Sequence, residues 1–112
     1  MLKFAVVLHR RPDVTAGQFA ENLRHEHGPL AERIPGLRRY VQNHVVPDPT
    51  RPHPGWDAIV ELYWDDRDAM EAAWRTPEGQ AATAHLAVFA DLARSTWSVV
   101  HEEIRRSGGT AR

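Results

Sequence analysis

The chain has 112 residues, 42% of them apolar and 26% charged, with a formal net charge of −1 and no cysteine. That length suits one domain, and the balance is that of an ordinary globular protein. The near-neutral charge gives no electrostatic ground for nucleic acid or a membrane surface as partner, and the missing thiols exclude disulfides, thiolate nucleophiles and cysteine-held metal centres.

Phe4-Ala5-Val6-Val7-Leu8 is apolar but short, and it runs into His9-Arg10-Arg11-Pro12. A secretory segment needs a longer apolar region and a small-residue cleavage site. No run reaches transmembrane length, so the expected setting is cytoplasmic. Residues 3–9 read as a strand that is apolar on both faces. Thr15-Ala16-Gly17-Gln18 has the form of a capping box and predicts a helix. The apolar stripe of that helix is Phe19, Leu23, His27, Leu30 and Ile34, at spacings of three and four. Gly28-Pro29 falls inside the stripe, and a kink or break is expected there. A short second piece should end at Pro35-Gly36.

Residues 37–46 read as a second strand, with Tyr40, Gln42 and His44 on one face and Val41, Asn43 and Val45 on the other. The stretch 47–55, "PDPTRPHPG", carries four prolines and must be a loop. Residues 56–64 form a third strand, with Trp56, Ala58, Val60, Leu62 and Trp64 on one face and Ile59, Glu61 and Tyr63 on the other. Asp65 or Asp66 caps the next helix. Thr76-Pro77 restarts it, with a stripe of Ala82, Leu86, Phe89 and Leu92. A last strand is expected over 95–104. The domain therefore spans 1–104, and 105–112 is a polar, glycine-bearing tail expected to be disordered.

The order β-α-β-β-α-β predicts an α+β, ferredoxin-like fold: a four-stranded antiparallel sheet with its helices on one face. The other face would be largely apolar and wet in a monomer. A homodimer packed sheet to sheet is the expected remedy.

Seven histidines are the main carriers of chemistry. His25 and His27 lie two apart, about 200° around a helix of ~3.6 residues per turn, so they cannot share one ion. H-E-H also lacks the H-E-x-x-H spacing. No metal is expected. His27 sits on the apolar stripe. It is either a buried histidine satisfied by backbone or a base in a pocket between helix and sheet, opposite Tyr40 or His44. Tyr40, Gln42 and His44 on one strand face fit either a lined cavity or a partly solvated sheet. Asn43 points the other way. His9, His25 and His53 read as surface residues, His85 as flanking the core, and His101 as pocket or interface. The four tryptophans, Trp56, Trp64, Trp74 and Trp97, read mostly as core and interface mass.

"LHRRPDVTAGQF", "HEHGPL", "PGLRRYVQNHV" and "WDAIVELYWDD…AMEAAWRTPEGQAA" together resemble the EthD-domain proteins, of the dimeric α/β-barrel superfamily, over roughly residues 3–102. The H-x-P-L element of that family is matched by His27, Pro29 and Leu30, and its "YVQNH" strand by Tyr40, Asn43 and His44. The resemblance implies a dimeric α/β barrel. It leaves the reaction open among lactone isomerisation, polyketide cyclisation or dehydration, and an accessory role beside oxidative enzymes. Superfamily relatives also include cofactor-free quinone-forming oxygenases and haem-binding proteins.

The reading that unites these features is a small enzyme needing no cofactor. It would act by proton transfer on an apolar cyclic or polyketide-like substrate. His27 is the expected acid or base, with His44 and Tyr40 as donors to a carbonyl or enolate. Gln42, Leu23, Leu30, Trp64 and Phe89 are expected to line the substrate space. The rival readings are a non-catalytic small-molecule binder and a haem protein with a histidine axial ligand.

Overall fold

The computed structural model describes residues 1–109. The strands are β1 (Leu2–Leu8), β2 (Arg39–His44), β3 (Ala58–Trp64) and β4 (Thr96–Val100). All pairings are antiparallel, in the order β2-β3-β1-β4. This is the split βαβ arrangement of the ferredoxin-like fold expected from the element order. β1 and β3 are central because their residues are apolar or half-buried on both faces, whereas the short, exposed β4 closes one edge.

The first helical segment runs through three geometries: α1 (Ala16–Glu21), a π-helical stretch (Asn22–His27) and α2 (Gly28–Ala31). Thr15 and Gln18 form the capping box that their spacing predicts. Of the kink or break expected at Gly28-Pro29, the break does not occur; the helix departs from regular α geometry but continues. Gly28 keeps helical angles (φ −51°, ψ −51°) and donates its N–H to the Leu23 carbonyl, five residues back. A π-turn takes in the extra residue and keeps the backbone bonded where an α-helix would have to end. The widened turn also shifts the stripe. Phe19, Leu23, His27 and Ile34 are buried, but Ala31 replaces Leu30, which is half-exposed.

α3 (Arg67–Trp74) starts at the Asp66 cap, and α4 (Pro77–His85) at the Thr76 cap with Pro77 in its first turn. One 3₁₀ turn, Leu86–Val88, follows. The predicted α4 stripe holds at Ala82 and Phe89 but ends there, because the helix stops and Leu92 lies exposed. Trp56 is also exposed, since β3 begins two residues later than expected. β4 is shorter than the 95–104 expected, and residues 101–109 have no regular structure. Residues 110–112 of the expected tail lie outside the described residues.

The core fills the space between the helices and one sheet face. Val6, Leu8, Ala58, Val60, Leu62 and Trp64 meet Phe19, Leu23, Ala31, Ile34, Met70, Ala73, Ala82 and Phe89. Trp64 is wholly buried and donates its indole N–H to the Pro35 carbonyl at 3.1 Å. The helix-free face is less apolar than the sequence suggests. Ala5, Val7, Val41 and Ile59 share it with Lys3, which is bonded to Glu61 at 2.9 Å and to Glu102 at 3.0 Å. The Lys3 ammonium also lies over the Tyr63 ring, as does the Arg39 guanidinium. Among the described residues no helix is long and apolar enough to cross a membrane.

Gly79 is the tightest point of the helical layer. A Cβ there would collide with the carbonyl of Ala73 and the backbone of Trp74. Helix propensity alone makes Gly→Ala favourable by about 1 kcal/mol. Here the steric term has the opposite sign, so Gly79→Ala is expected to lose about 1–3 kcal/mol. A lower urea midpoint at unchanged slope checks it, and a raised midpoint refutes the packing.

Candidate active site

A cavity of about 520 Å³ opens between the sheet and the helices. Phe4, Val6, Leu8, Val60 and Leu62 form its floor. Ala31, Ile34, Ala82 and Leu86 form its roof, with Trp74, Leu92 and Trp97 also on the wall. His27, Tyr40, Gln80 and Thr83 break the apolar lining. The sheet supplies an apolar floor because every second residue of β1 and β3 faces the helices.

His27 is placed by the π-turn, as its last residue, and is 6% exposed. Its Nδ1 lies 3.3 Å from Nδ1 of His85, the last residue of α4. The two rings are within 20° of parallel, with centroids 5.5 Å apart. The centroid gap exceeds the nitrogen gap by nearly the full two ring radii, so the rings meet edge to edge, as a shared proton requires. Phe89 is fully buried behind them, its ring tilted against both at 5.6 Å.

Nε2 of His27 has no hydrogen-bond partner, yet among the described residues no buried side-chain nitrogen is left unpaired. The atom therefore reaches open space, and the open space His27 lines is the cavity. Burial, helped by the neighbouring His85, pushes the His27 pKa down to about 4. The charged ring is disfavoured because the apolar surroundings cannot solvate it. His27 is thus a neutral imidazole with one ring nitrogen on the cavity.

β2 supplies the second polar group. Gln42 donates from Nε2 to the Tyr40 hydroxyl and to the Leu23 carbonyl, each at 2.8 Å. With its oxygen already accepting a bond, Tyr40 keeps its own O–H to offer. Burial raises its pKa, so it remains a donor at neutral pH. Gly28 leaves room for this bracing, since a Cβ there would lie 3.2 Å from Gln42 Nε2 and 3.3 Å from Leu23 O and crowd both.

Of the residues singled out from sequence, His27 and Tyr40 meet at one cavity. His44 does not. It bonds Gln42 Oε1 at 3.0 Å and faces a second recess, of about 400 Å³, with Arg24 and the proline loop. The strand-face pattern misplaces it because β2 outruns the cavity. Its pKa is lowered by partial burial and by Arg24. Gln42 braces the wall without forming it, for both its amide protons are spent on Tyr40 and Leu23. Leu23, Trp64 and Phe89 are fully buried packing rather than lining, and Leu30 packs half-buried against the core without lining the cavity. Asn43 lies on the opposite sheet face, bonded to the Ile59 carbonyl. His85 is the residue sequence reading passed over. Its place beside the α4 stripe was visible, but nothing local in sequence ties it to His27, 58 positions away. Among the described residues no three metal-ligating side chains cluster.

A model of the EthD domain matches residues 11–93. A protein of Rhodococcus erythropolis, described as an uncharacterized 11.0 kDa protein in the thcB-thcC intergenic region, is 30% identical over 90 residues, 80% of this chain and 84% of that one. The crystal structure of an ethyl tert-butyl ether D (EthD) family protein from Bacillus halodurans is 28% identical. It has a TM-score of 0.77 and covers 92% of this chain and 100% of its own. A dimeric ferredoxin-like protein of unknown function from Thermobifida fusca shares the fold at 20% identity and a TM-score of 0.67, covering 88% of each chain.

The burial of His27 has a consequence for stability. Folded, the ring binds a proton only near pH 4, against 6.5 ordinarily. Between those values the unfolded chain binds more protons, so folding stability falls as pH drops through that window. The loss reaches about 3 kcal/mol at 1.36 kcal/mol per pKa unit. His27→Leu is expected to flatten this part of the stability–pH curve. Parallel curves for the two proteins would show that the ring is not buried in the neutral form.

Proposed function

The chain belongs to the EthD-domain family, and from that premise we propose that it is an enzyme moving a proton on a small, flat, apolar carbonyl compound. The observation that carries this reading is a pairing on the walls of one apolar cavity: the free Nε2 of a neutral His27 and the O–H of Tyr40. Tyr40 polarises the carbonyl oxygen by donating to it. His27 takes the adjacent C–H proton, and the enolate forms against a donor already in place. Return of the proton at another carbon gives isomerisation. Attack of the enolate on a second carbonyl gives cyclisation, and loss of water can follow. The cavity volume falls within the range of small-molecule sites, and its apolar walls suit a ring system. His44 has no part in this scheme.

We also propose that two copies pack through their helix-free sheet faces. Ala5, Val7, Val41 and Ile59 form an apolar area there beside the Lys3–Glu61 pair. The Thermobifida protein of the same fold is described as dimeric.

2-Tetralone is a suitable probe, because its C1 protons are acidified by both ring and carbonyl. In deuterated water the protein is expected to speed deuterium uptake at C1. His27→Ala should reduce that rate by about 10²–10⁴-fold, and Tyr40→Phe by about 10²–10³-fold. Uptake unchanged in His27→Ala would sink the proton-transfer reading. Binding of 2-tetralone with no acceleration at all would favour a carrier over an enzyme. For the dimer, light scattering at micromolar concentration should give twice the chain mass, and Val7→Asp should halve it. A wild-type monomer would overturn the pairing.

A further inference from the structure

The geometry points to His85 as the positioning residue that fixes the tautomer of His27, holding its Nδ1 protonated so that Nε2 faces the cavity as a bare base. This rests on the proton-transfer reading given above. Two neutral imidazoles meeting through their Nδ1 atoms share one proton between them. One ring is then Nδ1–H with a bare Nε2, and the other is bare at Nδ1 with Nε2–H. The rings are therefore complementary: one offers a base at its far nitrogen, the other a donor.

Surroundings decide which ring takes which form. The far nitrogen of His27 opens on apolar walls, where an unpaired N–H is a poorer outcome than an unpaired lone pair. His85 is half-exposed, so its Nε2–H finds water. Both conditions favour the same arrangement: Nδ1–H on His27, Nε2–H on His85. The near-neutral requirement on His27 is met by its burial. The edge-to-edge geometry is held from three sides. The π-turn fixes His27, the capped α4 carries His85 at its end, and Phe89 packs against both rings. A ring that neither rotates nor changes tautomer meets the need of a general base for the correct lone pair in the correct place.

The test needs no substrate. Two-bond proton–nitrogen spectra of ¹⁵N-histidine protein at pH 8, above the ordinary histidine range, read each tautomer directly. His27 is expected as Nδ1–H and His85 as Nε2–H, by roughly tenfold over the alternatives, a ratio one ordinary hydrogen bond can support. His85→Phe removes the acceptor, and His27 should revert to the Nε2–H form. In His85→Gln the side-chain oxygen can accept from Nδ1–H and should restore it. Finding Nε2–H on His27 in the wild-type protein would overturn the assignment, and so would an unchanged Nδ1–H in His85→Phe. The wild-type spectrum decides even if a variant fails to fold. The 2-tetralone measurement stands apart: correct tautomers without exchange would reject the reaction and leave the positioning role intact.

Discussion

The carbonyl oxygen of Leu23 is the hinge of the site. It takes the Gly28 N–H from within the π-turn and the Gln42 amide from β2, so one acceptor ties helix to sheet. From Gln42 the bonding runs to the Tyr40 hydroxyl and, through the amide oxygen, to His44. Were the turn a regular α-helix, the Leu23 carbonyl would take the N–H of residue 27 in place of that of Gly28. A Cβ at position 28 would crowd both partners of the Gln42–Leu23 bond. Gly28 and Pro29 are therefore not a stop signal. They mark where the helix gives up ordinary hydrogen bonding to approach the sheet closely.

The apolar cavity makes its few polar groups consequential. In water an imidazole and a phenol have unremarkable acid–base behaviour. Behind Phe4, Val60 and Leu62 each is held in its neutral form, because the charged form loses its hydration without a compensating partner. Deprotonated Tyr40 is disfavoured further by Glu32 nearby, and protonated His27 by His85. One group is thus kept able to donate and the other able to accept, and no bulk water stands between them and an apolar guest that fills the space.

The opposite face of the sheet follows a different rule. There the polar groups are charged and satisfied. Lys3 is held well above its ordinary pKa by Glu61, with Tyr63 and Glu102 adding to the effect, while Glu61 is lowered by Lys3. Such a cluster fixes register across β1 and β3 and breaks up what would otherwise be a continuous apolar surface. The alternation of the two central strands separates the two environments by no more than the thickness of a sheet.

The sequence by itself determined the element order, the helix caps at Thr15 and Thr76, and the inner face of β3, and it narrowed the α3 cap to Asp65 or Asp66. Each depends on spacing between near neighbours, which survives without tertiary context. It also put His27 on the inner stripe of its helix and Tyr40 on one face of β2, leaving open whether they share a pocket, and it resembled the right family. Several features were decided only by the tertiary structure. Leu30 gave way to Ala31 because a π-turn changes the angular step, and no local residue type announces that change. His44 was separated from His27 because strand alternation reports a face but not how far along it a cavity extends. Phe89 proved to be a backing for imidazoles rather than a wall for ligand. His85 reached His27 only when α4 packed beside α2, and a contact across 58 positions is a property of packing that periodicity cannot carry.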